Sequence, residues 1–123
     1  MEIGIVSHFL PTGLLEHFSI TNVSELCNVK ERKHFIEISL EENNKILKDV
    51  DSTLYESKGF TEITIQDFPL RGKAVFLKIK RRRWRLKDNH RVVIRNDFSF
   101  VAEGSGFTRE LSDYLKGRGR YKD

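Results

Sequence analysis

Between Ile63 and Trp84 the chain alternates apolar and polar residues in two runs separated by Pro69 and Gly72, and the second run passes into a continuous basic cluster. A period of two marks a half-buried strand, and Pro and Gly punctuate turns, so the pattern predicts a β-hairpin. In the first arm, residues 61–68, Ile63 and Ile65 share a face. In the second, residues 73–85, Val75, Leu77 and Ile79 share one face while Phe76, Lys78 and Lys80 share the other. Residues 69–72 form the expected turn, carrying Arg71 and reaching Lys73.

The remaining elements follow by the same logic. Ile36, Ile38 and Leu40 alternate with Glu37 and Ser39 and predict another strand, and residues 91–95 and 97–102 predict two short ones on either side of Asn96. Lys87-Asp-Asn-His90 is expected to turn the chain before them. Val6, Phe9, Leu10, Leu14 and Phe18 recur at helical spacing and are interrupted by Pro11-Thr-Gly13, which suggests two short helices with Thr12 capping the second. Phe107, Leu111, Tyr114 and Leu115 predict a helix that Thr108 caps and that stops near Gly117. The reading is one α+β domain over residues 1–116, a curled antiparallel sheet with a helical segment over 1–20 and a C-terminal helix. Residues 41–59 are taken as a polar surface excursion and 117–123 as a flexible basic tail.

At 123 residues, one core suffices. The net charge of +4 conceals an uneven distribution: residues 1–67 hold 6 Lys/Arg against 12 Asp/Glu (net −6) and residues 68–123 hold 16 against 6 (net +10). Such asymmetry points to a polyanion-binding side. Lys78, Lys80, Arg81, Arg82, Arg83, Arg85 and Lys87 are seven cations in ten residues, and phosphates relieve the mutual repulsion of such a run. The alternative is an edge strand protected from aggregation by its charges. Arg71, Lys73, Arg91 and Arg95 extend the candidate nucleic-acid-binding set, and Trp84 belongs to it as a base-stacking residue or, more in keeping with its size, caps the core.

Other chemistry is poorly supported. Asp67 is a single carboxylate where two-metal phosphoryl chemistry needs several. His8, His17, His34 and His90 never pair at ligand spacing, and Cys27 is the sole cysteine, so the expectation is no enzyme, no metal and no cofactor. A cytoplasmic location is expected, since nothing calls for an oxidising compartment, no secretory signal opens the chain and no apolar run reaches membrane-spanning length.

Three segments carry a resemblance to a known family. Ile65-Gln-Asp-Phe-Pro-Leu-Arg-Gly-Lys73, Val75-Phe-Leu-Lys-Ile-Lys-Arg-Arg-Arg-Trp84 and Phe107-Thr-Arg-Glu-Leu111, in this order and spacing, resemble the N-terminal region of bacterial insertion-sequence transposases of the ISL-three group. The likeness covers mainly residues 54–116, with a weaker echo in Leu10-Pro-Thr-Gly-Leu-Leu-Glu-His-Phe18. In the larger family this region resembles a zinc ribbon with two cysteine pairs; here Leu86 and Asn89-His90 stand where the second pair would fall, and no cysteine lies nearer to Ile63 than Cys27. The resemblance therefore implies a zinc-ribbon-like sheet lacking zinc, held by burial of Ile63, Ile65, Val75, Leu77, Ile79, Val93, Phe98 and Phe100.

By resemblance the chain binds the DNA of the element's terminal inverted repeats and lacks the catalytic domain, which related elements encode on a separate frame. Two alternatives remain at this stage. One is a module that docks that separately encoded catalytic subunit, and the other is a small RNA-binding protein.

Overall fold

A computed structural model of the chain describes residues 7–11, 13–100 and 106–120. Its centre is a five-stranded sheet: β1 (Phe18–Asn28), β2 (Lys33–Glu42), β3 (Tyr55–Leu70), β4 (Lys73–Leu86) and β5 (Val93–Ile94). The order is β1-β2-β4-β3, with β5 pairing with β4. Two helices accompany it, the single turn α1 (Leu14–His17) and α2 (Arg109–Arg120). The α+β expectation holds, but the sheet is mixed instead of antiparallel, because β2 and β4 run parallel while every other pair is antiparallel. The β3–β4 hairpin returns with its second arm innermost, which places β4 between β2 and β3.

The hairpin turn is tighter than the sequence suggests. Pro69 lies within β3 beside an irregularity between Asp67 and Leu70, where a missing amide costs little. Arg71 and Gly72, both at positive φ (52° and 77°), form the two-residue loop that suits the twist of paired strands.

The alternating residues build the core. Ile36, Ile38 and Leu40 of β2 sit beside Val75, Leu77 and Ile79 of β4, while Ile65 and Ile63 of β3 flank Leu77 and Ile79. Each fully buried side chain here contributes about 1.5–3 kcal/mol. Leu14 and Phe18 cover this face, and Phe18 packs edge-on against Phe98 and Phe100 at 5.0 and 5.5 Å.

Several sequence expectations are corrected. Among the described residues of the segment 1–20, the helical structure is a 3₁₀ turn, Ser7–Phe9, and α1; Phe18 already belongs to β1. Thr12 and residues 1–6 lie outside the described residues, and Gly13 at φ 83° precedes α1 without a side-chain cap. The polar excursion is confined to 43–54, since β2 extends to Glu42 and β3 begins at Tyr55. Residues 97–100 are irregular and hold Phe98 and Phe100 against the core, with 101–102 outside the described residues. Helix α2 runs past Gly117 to Arg120, leaving 121–123 of the expected tail outside the described residues.

The first and third of the resembling segments meet in space at β3. Gln66 accepts from the Thr108 amide at 2.9 Å and donates its own amide to Gly106 at 2.7 Å, while the Thr108 hydroxyl donates to Asp67 at 2.9 Å. The same hydroxyl accepts from the Leu111 amide, so Thr108 caps α2 as expected and also docks it.

Candidate nucleic-acid interface

Strand alternation divides the basic cluster. Because successive side chains of β4 point to opposite faces, Arg81, Arg83 and Arg85 continue the row of Val75, Leu77 and Ile79, whereas Lys78, Lys80 and Arg82 continue the row of Phe76 on the other side. The cations do not form one surface. Their partners differ as well.

On the face away from the core, most charge is matched. Lys78 lies between Glu37 and Glu62 at 3.9 and 3.5 Å. Arg82 is held from four directions: Glu41 at 3.7 Å, the Glu42 carbonyl at 3.3 Å, the Ser57 hydroxyl at 3.0 Å, and the Phe60 ring with its centroid 4.5 Å away. Such a guanidinium belongs to the architecture. Lys80 is exposed and has no ion pair among the described residues.

Beyond the end of β2 the ladder is continued by side chains. Glu42, almost wholly buried, accepts from the Arg82 amide at 2.9 Å in place of a backbone carbonyl, and its second oxygen accepts from Asn96 at 2.9 Å. Asn96 also donates to the Lys45 carbonyl and accepts from the Leu47 amide, both at 2.8 Å, so this buried node is fully used. Trp84 is buried with its indole N–H on Asn44 at 2.9 Å, which makes it a core residue and removes it from the stacking set.

The row Arg81, Arg83 and Arg85 is different. Each of these half-buried arginines has a buried Nε that meets no acceptor among the described residues. Arg81 donates to the Asn96 carbonyl at 2.6 Å and lies 6.0 Å from the Phe98 ring centroid, but neither it nor Arg83 has a carboxylate at ion-pair distance among the described residues. Arg85 does, reaching Glu56 at 3.6 Å, and His90 shares that carboxylate at 3.8 Å. Burial, and then the like charge of Arg95, hold the Arg81 guanidinium below its usual pKa, with Glu42 and Asp97 acting in the opposite direction. It remains a cation at neutral pH. Arg95 directly follows β5, whose last residue Ile94 pairs with Trp84, and its charge acts on Arg81, one step along the same row of β4 from Arg83.

The outlying members of the predicted set are scattered. Arg71 is exposed in the hairpin turn and Lys73 is bound to Glu25 beside it. Lys87 and Arg91 are exposed around the β4–β5 connection. The two groups are separated by the length of β4, roughly 45 Å at about 3.3 Å per residue.

Asp67 is buried, and burial raises its pKa against the hydrogen bonds from the Phe68 amide and Thr108. It is a docking carboxylate for α2. Among the described residues no group of three or more His, Cys, Asp or Glu can hold a metal ion, and no helix is long and apolar enough to cross a membrane.

Compared with known proteins, the chain matches no family model, no curated protein and no solved structure.

Sequence reasoning missed Glu42, Asn96 and Phe60 as the groups that fix the basic strand. Glu42 had a signal: it extends the apolar alternation of Ile36, Ile38 and Leu40 by one step, a position where a carboxylate needs buried donors.

Proposed function

We propose that the chain is the DNA-binding N-terminal region of an insertion-sequence transposase, and that Arg81, Arg83 and Arg95 form its phosphate-binding centre. The observation that supports this most is that Arg81 and Arg83 each carry a buried Nε with no acceptor and no carboxylate at ion-pair distance among the described residues, with the like charge of Arg95 acting on Arg81, while Lys73, Lys78, Arg82 and Arg85 of the same strand are paired. Like charges packed together oppose folding, and phosphate oxygens would relieve both the repulsion and part of the unmet donor capacity. Lys87 and Arg91 are exposed cations near the same end of β4 that are available to extend the contact. Strand-borne arginines are also fixed in spacing, which positions a duplex; a base edge read by one of them would add sequence preference.

The resemblance supplies the biological setting: the terminal inverted repeats as target, a zinc-ribbon-like sheet without zinc, and a cytoplasmic protein working with a separately encoded catalytic subunit. It is strengthened by the docking of Asp67 to Thr108, because the Ile65–Lys73 and Phe107–Leu111 segments that carry the likeness form one structural unit.

The test is a titration against a terminal-repeat duplex and a scrambled duplex at several salt concentrations. The expected result is salt-dependent binding that favours the repeat and weakens in Arg83→Ala and Arg95→Ala. Absence of binding to either duplex at low salt would end this reading.

A second reading, docking of a catalytic subunit, draws on the outer edge of β1, which pairs with no strand among the described residues, and on the exposed Leu26 of β1 and Val29 of the turn after it. Edge strands invite pairing with another chain.

A further inference from the structure

At the turn end of the sheet, on the face opposite the core, lies a groove of about 790 Å³ between the β1–β2 and β3–β4 turns. Phe35 and Phe76 form its floor, with rings 5.7 Å apart and nearly perpendicular. Neither ring belongs to the core cluster, and both are partly exposed, so burial does not explain their presence here. Gln66 lines the groove with a side-chain amide that makes no hydrogen bond among the described residues. The rim carries Lys33, His34 and Lys73 against Glu31, and Arg71 is next to it in the turn.

We propose that this groove binds an unpaired nucleobase of a single-stranded DNA segment, the base stacking on Phe76 or Phe35 and its phosphate resting on the Lys33 side of the rim. The volume is within the range of small-ligand sites, and aromatic rings next to cations are what single-strand binders use. Gln66 offers a donor and an acceptor to a base edge. The occupant is single-stranded because a duplex keeps its bases stacked and unavailable to a protein ring. The inference rests on the nucleic-acid reading above, yet its site is separate: Phe76 and Arg83 are seven residues apart along β4, roughly 23 Å, and point to opposite faces. A DNA end with an unpaired flank can therefore engage both.

The experiment uses the full chain with a twelve-nucleotide thymidine strand, a copy of it carrying one 5-bromodeoxyuridine, and a blunt duplex. The wild type should bind the strand, Phe76→Leu and Phe35→Leu should each weaken that binding about tenfold, and duplex binding should stay unchanged. Irradiation of the bromouridine complex should attach the strand to Phe35, His34 or Phe76. Leu keeps the apolar contact; should Phe76→Leu nonetheless fail to fold, Gln66→Ala takes its place with the same expected loss. No binding of the strand by the wild type, unaltered strand binding in folded variants, or attachment confined to residues outside the groove would overturn the proposal. Strand binding without any duplex binding would leave the groove standing and remove the Arg81–Arg83–Arg95 centre.

Discussion

Neighbouring arginines in β4 carry opposite duties, and single substitutions separate them. Arg82 is engaged with Glu41, Glu42, Ser57 and Phe60, so Arg82→Ala strips a partly buried carboxylate network of its cation and should lower stability by about 2–3 kcal/mol, read by denaturant unfolding. Arg83→Ala removes a charge with no carboxylate partner among the described residues and leaves stability within about 0.5 kcal/mol, or slightly raised. Equal losses in the two variants would contradict the division. Asp67 gives a pH signature. Its folded pKa is raised, so between the unfolded value near 3.8 and the higher folded value the native state binds more protons, and its contribution to stability falls as pH rises through that window. Asp67→Asn keeps an acceptor for Thr108 and abolishes that fall; unfolding midpoints of both proteins between about pH 3.5 and 7 check it, and an unchanged profile would refute the assignment.

At the level of elements, α2 depends on one side chain for both its start and its attachment. Thr108→Ala removes the cap on the Leu111 amide and leaves buried Asp67 without its hydroxyl donor, which should cost about 1–2 kcal/mol and increase amide exchange through α2 ahead of the sheet. Exchange rising uniformly would mean that α2 and the sheet open together. In the hairpin turn Arg71 holds a positive φ that suits Asn better, so Arg71→Asn should stabilise the protein by about 0.5–1 kcal/mol in thermal unfolding; a loss would show that Arg71 is held there by contacts. Elements with strict alternation, β2 and the hairpin of β3 and β4, were legible because a two-sided environment writes itself into residue type. β1 was not, since it is an edge strand largely exposed on both sides and interrupted by a register shift at Ile20/Asn22. Nor was the parallel β2–β4 pairing, a non-local outcome of which hairpin arm lies innermost. Phe98 and Phe100 alternate like a strand but pack as irregular chain, so their pattern reports the core and not a ladder. The division of the arginines was in fact legible: a period of two already assigns Arg81 and Arg83 to one face and Arg82 to the other. Their pairing was not, because Glu41, Glu42 and Glu56 come from distant parts of the chain.

For the whole molecule, the opposite charges of the two sequence halves are largely reconciled by folding. Acidic residues of β1, β2 and β3 lie against Lys73, Lys78, Arg82 and Arg85 of β4, while Arg81 and Arg83 have no carboxylate at ion-pair distance among the described residues and Arg95 adds its like charge to Arg81. A net +4 protein can thus present a local field much stronger than its total suggests. The most direct test is the salt dependence of binding to a terminal-repeat duplex, compared among the wild type, Lys78→Ala and the double variant Arg83→Ala/Arg95→Ala. The account predicts that the double variant loses about 0.9 in the slope of log affinity against log salt for each phosphate contact removed, while Lys78→Ala keeps the wild-type slope. A slope reduced by Lys78→Ala and untouched by the double variant would contradict it.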